Sequence, residues 1–202
     1  MITVALSKGR QLKDFVRYLK EVDSIYQSYF EHIQRELVIE TENVKFLLVK
    51  GDDVPTYVAE GTADLGITGS DVLMEQNRKV NHLLDLPFGV CHFAIAAQPD
   101  VNVEEMKVVA SKYVNIAKQY FYARGMDTKV IKLNGSVELA ALIGMSDGIV
   151  DIVQSGETLR MNNLVEKDYM FDVNARLICN KHAYFTKSEE IQAFIKELKV
   201  MS

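Results

Sequence analysis

Positive charge is in deficit in this chain. Lys and Arg number 23 against 28 Asp and Glu, a formal net charge of -5. That balance offers no overall basic surface for nucleic acid, so any phosphate site must be local. Long hydrophobic runs are also missing: none approaches the roughly 18 residues of a membrane-spanning helix. The opening segment from Met1 to Leu6 is apolar with no basic stretch ahead of it. It reads as a first strand, not as a signal peptide. Cysteine is scarce. Cys91 and Cys179 lie far apart within apolar runs and form neither a metal nor a redox motif. Both read as buried thiols, and a reducing cytoplasm is the expected compartment. The four histidines, His32, His82, His92 and His182, show no metal-ligand spacing. His92 sits in an apolar run and reads as a core histidine. Gly-x-Ser-x-Gly, a Walker phosphate loop and Gly-x-Gly-x-x-Gly are all absent, and no nucleophile-and-base set is visible.

What remains is a chain of 202 residues, 48% hydrophobic, enough for one large domain or two small ones. Short apolar runs alternate with amphipathic ones. Strands are expected over residues 2–6, 45–49, 64–67, 82–86, 91–96, 107–110, 128–132, 149–153 and 175–179. Helices are expected over 11–21, 54–60, 71–76, 113–122, 137–143 and 189–198. The alternation predicts an α/β fold with largely parallel sheets. A break near Phe88 and Gly89, and a return between Phe171 and Ala175, divide the chain into two lobes. The first is discontinuous, residues 1–90 and 174–202; the second is 91–173.

The most informative stretch is Asp151 to Leu159. A β-branched run ends in Ser155, Gly156, Glu157 and Thr158, where a short helix can start. Free backbone N–H groups and hydroxyls at such a place suit an anion. They equally suit a plain helix cap. The pattern occurs twice in register: Gly61, Asp64, Thr68 and Gly69 match Gly148, Asp151, Ser155 and Gly156. Two such units imply two similar α/β lobes, each with an anion-suited strand-to-helix loop, and a ligand with two phosphate groups in a cleft between them. Ser70 and Asp71 follow the first unit as cap-suited residues.

Other charges have two readings each. Lys8 and Arg10 flank Gly9 at the start of a helix, where the dipole disfavours cations unless an anion binds; alternatively they form a solvated basic turn. Lys50, Arg35 and Arg176 follow or lie within apolar segments and suit either a substrate cleft or surface ion pairs. Glu138 opens a helix after Asn134, Gly135 and Ser136. It suits a capping role, a ribose hydroxyl or a metal-bound water. Asp151 is read as functional, and Asp64 stays open. Together these groups favour chemistry by positioning and charge stabilisation over a covalent relay.

Residues Glu138, Gly144, Ser146, Ile149, Asp151, Ser155, Gly156, Thr158 and Leu159 resemble the signature of the ATP phosphoribosyltransferase family. Further blocks follow in order: Lys8 to Arg10, Asp53 to Val58, Ala63 to Gly69, Asp85 to Cys91, Ala110 to Tyr113, and Leu133 to Glu138. Arg35 falls where the family carries a basic residue before a strand. Ser7 and Val114 stand where the family often has proline, which alters loop rigidity but removes no functional group.

The resemblance implies two lobes similar to type II periplasmic-binding-protein domains, with no C-terminal regulatory domain. That is the short form, which works with a regulatory subunit resembling histidyl-tRNA synthetase. The implied assembly is a homodimer within a hetero-oligomer. The implied reaction joins ATP to 5-phosphoribosyl 1-pyrophosphate with Mg²⁺ carried mainly by substrate phosphates, the first step of histidine biosynthesis. By resemblance, Ser155, Gly156, Glu157, Thr158 and Leu159 of the second lobe cradle the 5-phosphate, chiefly through backbone N–H groups. Asp151 and Glu138 hold ribose hydroxyls or metal-bound water. Lys8, Arg10 and Lys50 face pyrophosphate or ATP phosphates, with Gly69 and Ser70 as the opposite loop. Arg35 neutralises the leaving group or holds ATP, from its own or a neighbouring subunit. The rival expectation is a two-lobed binding module for a phosphorylated small molecule that catalyses nothing.

Overall fold

The computed structural model describes residues 1–31, 33 and 35–199. His32 and residues 200–202 of the expected first lobe lie outside the described residues. The chain divides into two compact units: Met1–Gly89 with Asn174–Ser202, and Val90–Val173.

The first unit holds β1 (Ile2–Ser7), α1 (Arg10–Glu21), β2 (Val38–Glu40), β3 (Val44–Val49), α2 (Val54–Ala59), β4 (Leu65–Gly69), α3 (Ser70–Gln76) and β5 (Asn81–Asp85). The second holds β6 (Cys91–Ala97), β7 (Val108–Ser111), α4 (Val114–Ala123), β8 (Lys129–Lys132), α5 (Glu138–Leu142), β9 (Gly148–Val153), α6 (Glu157–Met161) and β10 (Val165–Val173). The chain then returns to the first unit as β11 (Ala175–Cys179), α7 (Lys181–Thr186) and α8 (Ser188–Glu197).

Both units are built on one plan. The first sheet runs β2-β3-β1-β4-β11-β5 and the second β10-β6-β9-β7-β8. Set aside the extra edge strand β2, and each reads second, first, third, returning, fourth. In each, the first strand lies parallel to the second and third, as in β1 with β3 and β4, and β7 with β8 and β9. The returning strand is antiparallel to its neighbours, as in β11 with β4 and β5, and β6 with β9 and β10. The expectation of largely parallel sheets is therefore corrected: each sheet is mixed. A strand that enters straight from the other unit has no crossover helix to turn it round, so it runs against the βα strands.

The sequence repeat falls on topologically equal strands, β4 and β9. Gly69 and Gly156 are the N-caps of the helices that follow.

Alternation splits each strand between two layers. On β6, Phe93 and Ile95 face a cluster with Ile116, Ala117 and Phe121 of α4. Ala94 and Ala96 face the opposite cluster, with Ile149 and Val153 of β9, Ala140 and Ala141 of α5, and Leu159 of α6. In the first unit, Val4 and Leu6 meet Phe15 and Leu19 of α1 and Phe194 of α8. Ala5 and Ile178 meet Val54 and Val58 of α2.

Asp64, left open on sequence, is structural. Its carboxylate is buried, accepts the Thr3 N–H at 2.8 Å, and takes Lys187 Nζ on both oxygens at 2.9 Å. It therefore ties β1 to the turn before α8. The match to Asp151 is one of sequence position, since Asp64 precedes its strand whereas Asp151 lies within one.

Candidate active site

In an α/β sheet, ligands gather where the parallel strands end. In the first unit, Lys8 follows β1, Lys50 follows β3, and Gly69 ends β4. The edge is knitted closely: Lys8 N–H donates to the Val49 carbonyl at 2.9 Å, and Thr68 Oγ1 donates to the Gly51 carbonyl at 3.4 Å. A Cβ at Gly51 would come within 2.8 Å of Ser7 Oγ, so glycine there lets two loops touch. Lys8, Arg10 and Lys50 are exposed at this edge.

Arg35 reaches the same edge through a strand that sequence reasoning missed. β2 runs antiparallel to β3, pairing Val38 with Leu47, and the Leu37 carbonyl accepts the Leu48 N–H at 2.8 Å. The entry to β2 thus lies beside the exit of β3, two residues ahead of Lys50. Arg35 is exposed in the bend just before it. Arg176, the other candidate cation, is committed to Asp85, with Nε 2.9 Å from Oδ1.

Gly69 and Ser70 are used internally, which corrects their reading as an open ligand loop. Ser70 is 1% exposed; its N–H donates to the Asn174 carbonyl at 2.9 Å and its hydroxyl accepts the Asn174 N–H at 3.2 Å. It clips the returning chain onto β4. The Asp71 carboxylate folds into the space where a Gly69 side chain would stand. The protein's own acid thus fills the start of α3.

The second unit's loop is built differently. β9 ends at Val153, and Gly156 takes the left-handed conformation, φ 70° and ψ 0°, to launch α6. Ser155 Oγ accepts the Glu157 N–H at 3.4 Å. The first intrahelical bond of α6 runs from Arg160 N–H to the Gly156 carbonyl. The amides of Glu157, Thr158 and Leu159 therefore precede the helix's own ladder. Ser155, Glu157 and Thr158 are exposed. Leu159 is a core anchor at 6% exposure, so only its backbone faces outward chemistry. Asp151 is half-buried and shares a sheet face with Ile149 and Val153; its Oδ1 accepts the Ile152 N–H at 2.8 Å. Glu138 opens α5, which packs on that face through Ala140 and Ala141.

Two groups at this edge escaped sequence reasoning. Lys112 follows β7 as Lys8 follows β1, each preceded by a buried serine, Ser111 or Ser7. The shared Ser-Lys after the first strand of each unit was the available signal. His92 is corrected from core histidine to edge residue: its side chain is 24% exposed and Nε2 lies 2.9 Å from Glu166 Oε2.

Cys91 and Cys179 are buried thiols. Burial, reinforced by the Asp64 charge, pushes Cys179 from 9.0 up to about 11. The unfolded chain then ionises first. This stabilising contribution is complete below about pH 9 and is lost as pH rises through 11. A native-state alkylation assay at pH 8 should leave Cys179 unlabelled until denaturant is added. Rapid native labelling would contradict this burial.

Among the described residues, no group of three or more His, Cys, Asp or Glu is arranged to hold a metal ion, and no helix is long and apolar enough to cross a membrane.

Comparison with known proteins gives this geometry its context. The family model described as ATP phosphoribosyltransferase (HisG) matches residues 50–200. An ATP phosphoribosyltransferase of Staphylococcus carnosus is 52% identical over 202 residues, covering 99% of this chain and 98% of the relative. One from Staphylococcus epidermidis is 52% identical over 201 residues, with the same coverage. Among solved structures, a chain of the ATP phosphoribosyl transferase (HisG:HisZ) complex from Thermotoga maritima aligns with a TM-score of 0.83 at 33% identity, covering 98% of this chain and 97% of that one. A histidine kinase sensor domain similar to periplasmic binding proteins aligns with a TM-score of 0.60 at 14% identity, covering 98% of this chain and 89% of that one, a likeness of fold alone. With a family model over most of its length and relatives half identical from end to end, the chain belongs to the ATP phosphoribosyltransferase family.

Proposed function

We propose that this chain transfers the phosphoribosyl group of 5-phosphoribosyl 1-pyrophosphate to N1 of the adenine of ATP, as the first step of L-histidine biosynthesis. The bond from N1 to the anomeric carbon forms as the bond from that carbon to pyrophosphate breaks. N1 attacks with a lone pair and has no proton to lose first, so the attack needs no strong base. The transition state gathers positive charge on the ribose and negative charge on the departing pyrophosphate, and fixed charges stabilise it.

The observation that carries the site assignment is the loop at the end of β9. A left-handed Gly156 presents the amides of Glu157, Thr158 and Leu159 ahead of α6, with the Ser155 and Thr158 hydroxyls beside them. This loop takes the 5-phosphate. Asp151 and Glu138 take the ribose hydroxyls or metal-bound water. Lys8, Arg10, Lys50 and Arg35, with the backbone at Gly69 and Ser70 shaping their edge, take pyrophosphate or ATP phosphates; Arg35 acts in its own subunit or in a neighbouring one of a homodimer. Magnesium carried by the substrate phosphates would spread their charge, with Asp151 and Glu138 placed to hold its water shell. The single carboxylates of Asp151 and Glu138 fit contact through metal-bound water better than a protein-built cage.

The Thermotoga maritima neighbour comes from a HisG:HisZ complex, which supports a regulatory partner for this chain too, one resembling histidyl-tRNA synthetase, in a cytoplasmic hetero-oligomer.

Thr158→Ala tests the loop. Loss of one charge-assisted hydrogen bond, about 1.5 kcal/mol, should raise KM for the ribosyl donor about tenfold and leave that for ATP unchanged. Steady-state kinetics with each substrate varied decides it, and unaltered donor kinetics would remove Thr158 from the cradle.

A further inference from the structure

We propose that His92 balances the charge of Glu166 beside the 154–158 loop and so admits the donor's phosphate to it. The inference rests on the assignment of that loop to the 5-phosphate. β6 begins where β9 ends, so His92 lies directly across from Val153, one residue before the loop. It shares the sheet face of Ala94, Asp151 and Val153. Its Nε2 meets Glu166 Oε2 at 2.9 Å, and its ring lies against Tyr169 with centroids 5.5 Å apart. The other oxygen of the same carboxylate, Oε1, stands 3.9 Å from where a Cβ on Gly156 would be. Glu166 therefore meets the histidine with one oxygen and turns the other toward the open side of the loop's left-handed glycine.

The charges around this point are mostly negative. Asp151 lies on the same face, diagonal to His92 on β9; β10 contributes Glu166 and Asp172, the latter the register partner of His92, with Tyr169 against its ring; Glu157 stands in the first turn of α6 after the loop. A phosphate dianion entering beside an uncompensated Glu166 carboxylate meets repulsion at short range. A protonated His92 cancels that charge, so the phosphate meets no net repulsion there. His92 itself lies off the phosphate: it acts through the carboxylate of Glu166.

The test uses the assembled enzyme with 5-phosphoribosyl 1-pyrophosphate, ATP and Mg²⁺. His92→Gln keeps a hydrogen-bond donor but no charge, and should raise the donor KM about tenfold at pH 6.5, with the KM for ATP unchanged. The double variant His92→Gln/Glu166→Gln removes both charges and should recover to within about twofold of the parent. A merely structural pair predicts the opposite order, with the double variant the worst. If His92→Gln does not fold, Glu166→Gln alone gives the answer: a donor KM at or below the parent's is expected, and a raised one would overturn the proposal. An unchanged donor KM in His92→Gln beside a raised one in Thr158→Ala refutes the pair alone. An unchanged donor KM in both refutes the loop assignment and this inference with it.

Discussion

Arg35→Ala is expected to lower kcat by about 10²- to 10³-fold, the range found when a fixed donor to developing negative charge is removed. The position of Arg35 follows from β2. Only three residues long, it is antiparallel to β3, so its entry meets the exit of β3. That brings residue 35 to the edge where Lys8 and Lys50 follow their strands. The leaving pyrophosphate gains charge only in the transition state, so the loss should fall on kcat more than on either KM. Arg35→Lys should recover part of the rate, since it restores the charge but not the two-pronged geometry that fits phosphate oxygens. Single-turnover kinetics at saturating substrates measure this directly. An Arg35→Ala enzyme with full kcat would take Arg35 out of leaving-group stabilisation.

Gly66→Val is expected to destabilise the first unit by about 3 kcal/mol, a large share of a typical domain's margin. Gly66 lies in the middle of β4, between β1 and β11. A Cβ there would stand 2.7 Å from Val58 Cγ2, 2.8 Å from Val54 Cγ1 and 3.1 Å from Ile178 Cγ1. Helix α2 packs so close to the sheet that no side chain fits beneath it. The two γ-methyls of valine add to the clash, and a six-residue helix can yield only by lifting off its strand. Gly66→Ala should cost less, in keeping with one carbon rather than three. Thermal or urea unfolding of both variants orders them; an unchanged midpoint for Gly66→Val would mean that α2 is not packed as described.

The βα strands were legible in the sequence because they are buried on both faces and read as short apolar runs, such as Ile2 to Leu6 and Ile149 to Val153. Two edge strands were not. β2 has a single buried residue, Ile39. β10 carries Glu166, Lys167, Asp168 and Asp172, and two register shifts break its alternation. Charge and bulges protect an exposed edge from pairing with other chains and erase the pattern that would reveal a strand. These two strands position what sequence reasoning placed least well: β2 leads in from Arg35, and β10 supplies Glu166.

The repeat located the two equivalent strand ends, but composition could not tell an open loop from a filled one. Gly69 and Ser70 read as a loop facing a ligand, whereas the fold spends Ser70 on Asn174 and packs Asp71 over Gly69. The partner of Ser70 lies 104 residues away in sequence, beyond the reach of any local pattern. His92 was misread for a related reason. An apolar run implies burial, but His92 pairs with the charged edge strand β10, where Glu166 meets its ring nitrogen.

The most direct test of the transferase assignment is the absorbance change of N1-alkylated adenine on mixing the chain with ATP, 5-phosphoribosyl 1-pyrophosphate, Mg²⁺ and a pyrophosphatase, with and without the regulatory subunit. The account predicts Mg²⁺-dependent turnover that stops when the ribosyl donor is left out. Binding of the phosphorylated ligands with no turnover in either mixture would contradict it and leave a two-lobed binding protein in its place.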